Sequence, residues 1–142
     1  MANYDASSTN KSNRSARSFF SDLDLDFTRN PVTNDVAKIQ DVDAVKRSVR
    51  NLIQTNFYER PFRPELGSGV RQMLFEPFMP LTKTFLKRKI EEVLANYEPR
   101  AKIEQVAIDD EPDKNRIKAT IYFYVVNSDE PVVVTTFLER LR

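Results

Sequence analysis

Arg60-Pro61-Phe62-Arg63-Pro64-Glu65-Leu66-Gly67-Ser68-Gly69 opens the stretch whose reading decides the fold, and Asn96-Tyr97-Glu98-Pro99-Arg100 closes it. A helical pattern runs between the two, another precedes the first, and after the second the hydrophobic period changes to two. Pro61, Pro64, Gly67 and Gly69 punctuate a structured loop. The chain has only 2 glycines, and their use two residues apart predicts a backbone position that needs a positive φ or a close approach. The pair lacks the third glycine and the preceding strand of a phosphate-binding turn, so a turn is the better reading. Pro99 stops the second helix, because the residue before a proline is pushed out of the α region and Glu98 must already be extended. Residues two apart on an extended segment point the same way, which displays Glu98 and Arg100 side by side on a stiff corner. Such a pair either grips a partner, with Arg as a fork of donors and Glu as acceptor, or forms a local ion pair that fixes the corner. The residues alone favour the second.

Working outward, Leu86, Ile90, Val93, Leu94 and Tyr97 make one apolar stripe on a helix that begins near Thr82. Upstream, Asp41 or Asp43 can cap a helix carrying Val45, Val49, Leu52 and Ile53 and ending near Asn56; its other face, with Lys46, Arg47 and Arg50, reads as solvated. A short amphipathic turn at 70–75 leads through Glu76-Pro77-Phe78-Met79-Pro80 into the second helix. Downstream, strands are predicted over 103–109, 116–126 and 132–138, joined by turn-rich loops at Asp110-Glu111-Pro112-Asp113 and Asn127-Ser128-Asp129-Glu130-Pro131. Ile117, Ala119, Ile121, Phe123 and Val125 share the face that packs on the helices. The expected fold is a single small α+β domain over 19–142, with two main helices packed on an antiparallel sheet of three to four strands. Residues 1–18 are rich in Ser, Asn and Thr, with Lys11, Arg14 and Arg17 against Asp5. They read as a flexible, mildly basic tail, or as an arm that orders against a neighbouring subunit.

Composition narrows the chemistry. At 142 residues a compact domain buries roughly 70% of its unfolded surface, enough for one core. Lys plus Arg number 22 against 21 Asp plus Glu, and the net charge of +1 offers no global attraction to nucleic acid or an anionic membrane. Neither cysteine nor histidine occurs, which excludes disulfides, thiolate metal sites and Ser-His-Asp or Cys-His catalysis. No apolar run approaches the ~20 residues of a membrane span, and the first residues carry no signal-like apolar core, so the chain is expected to work where it is made. Residues 20–27, Phe-Ser-Asp-Leu-Asp-Leu-Asp-Phe, alternate strictly and suggest a short edge strand with Leu23, Leu25 and Phe27 on one side and Asp22, Asp24 and Asp26 on the other. A calcium loop is a poor fit, since Phe27 stands where a glycine is needed and Thr33 where a bidentate glutamate belongs. A glycosidase needs only two carboxylates, and Glu59, Glu65, Glu76 and Glu98 are candidates. None is set opposite a partner carboxylate, and Glu98 beside Arg100 stays ionised, the wrong state for a general acid.

The Arg60-Pro61-Phe62 loop with Gly67, Leu74-Phe75-Glu76, Pro80-Leu81-Thr82 and Asn96-Tyr97-Glu98-Pro99-Arg100, in this order before a strand meander, resemble the baseplate wedge and sheath-initiator proteins of contractile-tailed bacteriophages. That family has relatives in type VI secretion baseplates. The resemblance covers about residues 44–140, outside the tail. It implies a structural, non-enzymatic part of the virion tail baseplate, assembled in the host cytoplasm in multiple copies around a sixfold ring. No cofactor, metal, nucleic acid or membrane is implied. The implied partners are large wedge subunits, the tail sheath protein and other inner-baseplate and tube proteins. In the family the Glu-Pro-Arg corner contacts paired helices of the large wedge subunits, a role carried to Glu98, Pro99 and Arg100. The family's sheet also resembles the interlocking domain of sheath subunits, which implies a template for the first sheath ring. Val132, Val133, Val134, Thr135, Thr136 and Phe137 fit that use as a β-rich, uncharged run, if they lie at a sheet edge. Glu139, Arg140 and Arg142 then discourage uncontrolled edge association. The alternatives are a lysozyme-like cell-wall glycosidase of the tail and a type VI secretion baseplate subunit.

Overall fold

The computed structural model describes residues 19–75 and 79–139. The tail expected at 1–18, the Glu76-Pro77-Phe78 connection and the edge charges Arg140 and Arg142 lie outside the described residues. The chain runs through β1 (Ser21–Leu23), β2 (Lys38–Gln40), α1 (Asp41–Gln54), α2 (Val70–Met73), α3 (Pro80–Tyr97), β3 (Ala101–Glu111), a 3₁₀ turn (Pro112–Lys114), β4 (Arg116–Val125) and β5 (Pro131–Glu139).

Helix α1 buries Val45, Val49, Leu52 and Ile53, the stripe its spacing predicts. Neither aspartate caps it. The cap position is Gln40, in extended conformation without a side-chain bond, and the Asp41 carboxylate instead accepts the N–H groups of Phe19 at 2.7 Å and Phe20 at 3.2 Å. Asp41 therefore fastens the segment leading into β1. Helix α3 opens on Pro80, whose missing N–H is harmless at a first helical position, and buries Leu86, Ile90, Val93 and Leu94. Tyr97 at the end of that stripe is only partly covered and donates its hydroxyl to the Glu65 carbonyl at 3.2 Å, tying α3 to the proline-rich loop. Each fully buried aliphatic side chain contributes about 1.5–3 kcal/mol.

The sheet is an antiparallel meander in the order β3-β4-β5, and α1 and α3 cover one face of it. Ile117, Ala119, Ile121, Phe123 and Val125 all face that core. Strand β3 is longer than the pattern indicates and carries a bulge. Ile103 opposes Phe123 and Gln105 opposes Tyr122, leaving Glu104 as the extra residue. The inserted residue shifts the phase of the strand, so Ala101 faces inward before it and Val106 and Ile108 after it.

β1 and β2 form a separate two-stranded antiparallel ribbon. The strict alternation over 20–27 yields only three strand residues, after which the chain turns and Phe27 takes a φ of 53°. The acidic side faces the protein: Asp24 is buried, whereas Leu23, Leu25 and Phe27 are exposed.

Between α1 and α2, both glycines do what their scarcity implies. Gly69 has a φ of 61°, and a Cβ on Gly67 would lie 2.4 Å from the Phe57 nitrogen and 2.5 Å from the Asn56 carbonyl carbon. Buried Ser68 between them donates to the Ile53 carbonyl at 2.6 Å and accepts the Val70 N–H at 3.2 Å, which closes the end of α1 onto the start of α2. Gly67→Ala should cost at least about 2 kcal/mol, because backbone cannot give way, and Gly69→Ala about 1–2 kcal/mol, from its left-handed φ and a Cβ 2.7 Å from the Phe57 ring, a side chain that can shift. Urea unfolding of the two variants checks the order; equal losses would mean that the loop backbone at Asn56 and Phe57 relaxes away from position 67.

Candidate functional site

The corner is built by the end of α3 and the start of β3. Glu98 has φ −130° and ψ 71°, outside the α region as Pro99 demands, yet its N–H still reaches the Leu94 carbonyl at 2.9 Å. The carboxylate points inward. Glu98 is 2% exposed, which corrects the expectation that it is displayed beside Arg100. Arg100 grips it with a fork, Nε to Oε1 at 2.6 Å and Nη2 to Oε2 at 2.9 Å. The Ser48 hydroxyl of α1 donates to the same Oε2. The pair thus joins α1, α3 and β3. What the corner offers outward is Pro99, which is exposed, and the far edge of the Arg100 guanidinium. Nη1 and Nη2 on that edge lie 3.4 and 3.5 Å from Asp22 Oδ2 of β1, and the guanidinium sits 5.5 Å from the Phe20 ring centroid.

Burial is the strongest single influence on the Glu98 carboxyl and opposes its ionisation. The hydrogen bonds from Arg100 and Ser48 and the charge of Arg100 together outweigh it and hold the group below the ordinary carboxylate range. Arg100 is pushed upward by its bonds to Glu98. A second latch starts from the neighbouring residue of α1. Arg47 donates to Asp24 Oδ1 and Asp26 Oδ2, so the face of α1 expected to be merely solvated clasps the ribbon. Asp24 is lowered from 3.8 to about 2, chiefly by the Thr28 hydroxyl and the Asp26 N–H, with Arg47 adding to them against burial.

Ribbon, α1, loop and corner enclose an open cleft of about 510 Å³, lined by Leu23, Leu25, Ser48, Leu66, Tyr97 and residues 98–100. The second predicted surface is at the opposite edge of the sheet, in β5. Val132, Val134 and Thr136 face the core, and Val133, Thr135 and Phe137 face outward, with the Arg116 guanidinium 4.0 Å from the Phe137 ring centroid. The structure thus brings Glu98, Pro99 and Arg100 together and keeps the 132–137 run apart from them. Asp22, Ser48 and Arg47 were missed as members of the site. The regular acid alternation at Asp22, Asp24 and Asp26 is a signal in the sequence, but it does not say which arginines those acids meet.

The fold is thus a small α+β domain with a buried Glu-Arg lock at a helix-to-strand corner and, among the described residues, a meander that ends on β5. The chain matches the family described as "Baseplate wedge protein gp25" over residues 39–130. It is 31% identical to baseplate wedge protein gp25 of Enterobacteria phage T4 over 115 residues, 80% of this chain and 85% of that one. It therefore belongs to the baseplate wedge protein gp25 family. A subunit of the anti-feeding prophage baseplate is 28% identical with a TM-score of 0.68, covering 78% of this chain and 89% of that one. A putative tail lysozyme from Geobacter sulfurreducens shares the fold, at 21% identity and a TM-score of 0.66 over 70% of this chain and 91% of that one.

Glu98→Ala should cost about 2–3 kcal/mol in urea unfolding, since it strands a partly buried guanidinium; a loss below about 0.5 kcal/mol would give the pair the weight of a surface bridge. Asp24 and Glu98 are both held low in the fold. Their stabilisation is present above their ordinary values near 4 and is lost as pH falls through their folded values, about 2 for Asp24. Asp24→Asn should flatten the stability profile between about pH 4 and pH 2, measured by denaturation at fixed pH; an unchanged slope would remove Asp24 from the acid response.

Proposed function

We propose that this chain is a structural, non-catalytic component of a contractile-tail baseplate wedge, present in several copies in the virion tail. It contacts the large wedge subunits through its Glu98-Pro99-Arg100 corner and offers β5 as the strand on which tail sheath begins. Family membership over residues 39–130 carries the reading, since that span holds the corner and most of the meander. Two features support the finer roles. The corner lines a cleft with apolar walls and a guanidinium edge, a shape suited to the side of a helix. The 132–137 run lies on a strand that the meander leaves at an edge, and a further strand there gains main-chain hydrogen bonds. The glycosidase alternative is disfavoured by Glu98, which Arg100 and Ser48 keep ionised.

Adjacent strand residues send their N–H groups to opposite sides, so of Val133→Pro and Val134→Pro one breaks the β4 ladder and the other removes only an outward donor. The variant that keeps its circular dichroism and solubility should still co-purify with large wedge subunits and yield baseplates or bare tubes without sheath in electron micrographs. Full-length sheathed tails from that folded variant would move sheath initiation to another surface. Loss of wedge co-purification by the same variant would merge the two surfaces into one.

A further inference from the structure

The guanidinium of Arg100 has two edges, and the fold treats them differently. The inner edge is committed to Glu98 at 2.6 and 2.9 Å, ordinary charge-assisted distances. The outer edge carries two parallel donors, the arrangement that takes a carboxylate bidentately. Here it meets one oxygen of Asp22 from both nitrogens, at 3.4 and 3.5 Å, and the Asp22 side chain is 42% exposed. Both contacts are too long for a strong bond. The ribbon carrying Asp22 does not depend on them, because Asp41 holds the N–H groups of Phe19 and Phe20 and Arg47 holds Asp24 and Asp26. The contact lies in the cleft, beside Leu23 and Tyr97.

We infer that Asp22 is a placeholder: the outer edge of Arg100 receives an Asp or Glu carboxylate from the large wedge subunit, and Asp22 gives way when it arrives. The inference rests on the corner being the wedge contact and adds to it both the chemistry of the partner group and a built-in competitor. Burying Arg100 without a second acid would leave half its fork unpaired in a desolvated interface, whereas Asp22 and an incoming carboxylate cannot share that edge without repulsion. The free chain is thereby kept satisfied and the bound chain selects acidic partners.

The test is a double-mutant cycle with the full chain and the purified large wedge subunits of the same tail, read as dissociation constants by titration calorimetry. Asp22→Asn should tighten binding roughly three- to five-fold, the scale of a half-exposed ion pair. Arg100→Lys, which keeps the charge and loses the paired donors, should weaken binding at least about ten-fold, and adding Asp22→Asn to it should give no gain. Asp22→Ser runs beside these as a second neutral replacement, and circular dichroism with thermal unfolding shows that each variant is folded. Unchanged or weaker binding by both neutral variants, or a gain that persists with Lys at position 100, overturns the placeholder. Wild-type affinity in Arg100→Lys would instead sink the corner reading itself.

Discussion

Glu98 is a carboxylate that the fold has taken almost completely out of water, and the corner depends on how it is satisfied. An ionised group in that position costs several kcal/mol unless it is paired and hydrogen-bonded. Arg100 supplies two bonds from two residues away, and Ser48 reaches in from α1, fifty residues earlier in the chain. The pair therefore fixes more than a turn. It sets where α3 stops, where β3 starts and how α1 lies against both. Pro99 makes this possible by forcing Glu98 out of the helix one residue before the strand direction is taken up.

The N-terminal ribbon follows from the same economy of charge. Three aspartates alternate with apolar residues, and two arginines rooted in the domain draw the acids inward. Leu23, Leu25 and Phe27 are left facing water at 62, 56 and 74% exposure, the reverse of ordinary burial for such an alternation. Ion pairing sets the orientation because the ribbon lies over the polar face of α1 and the corner. Its apolar side has no neighbouring element to cover it among the described residues.

The two surfaces proposed for assembly sit on opposite edges of one three-stranded sheet. The bulge at Glu104 keeps β3 in register with the core on both sides of the kink, and β3 leads directly out of the corner. At the other edge, β5 alternates core-facing Val132, Val134 and Thr136 with outward Val133, Thr135 and Phe137. One edge of the sheet grows out of a buried ion pair, and the other, β5, has no further strand paired to it among the described residues.

The sequence by itself determined the elements whose causes are local. Apolar spacing placed α1, α3 and the meander, Pro99 ended α3, and the scarcity of glycine marked the positions where Gly67 approaches backbone and Gly69 takes a positive φ. The ordered motifs from Arg60 to Arg100 also made the family resemblance legible, and the family match spans them. Tertiary structure alone decided that Glu98 faces inward, that Arg47 is a clasp, that Asp41 holds Phe19 and Phe20 without capping α1, and that β3 carries a bulge. Each of these rests on a contact between residues far apart in sequence or on a change of phase within a strand. Periodicity reports which residues share a face; which charge that face meets is fixed only when distant segments pack together.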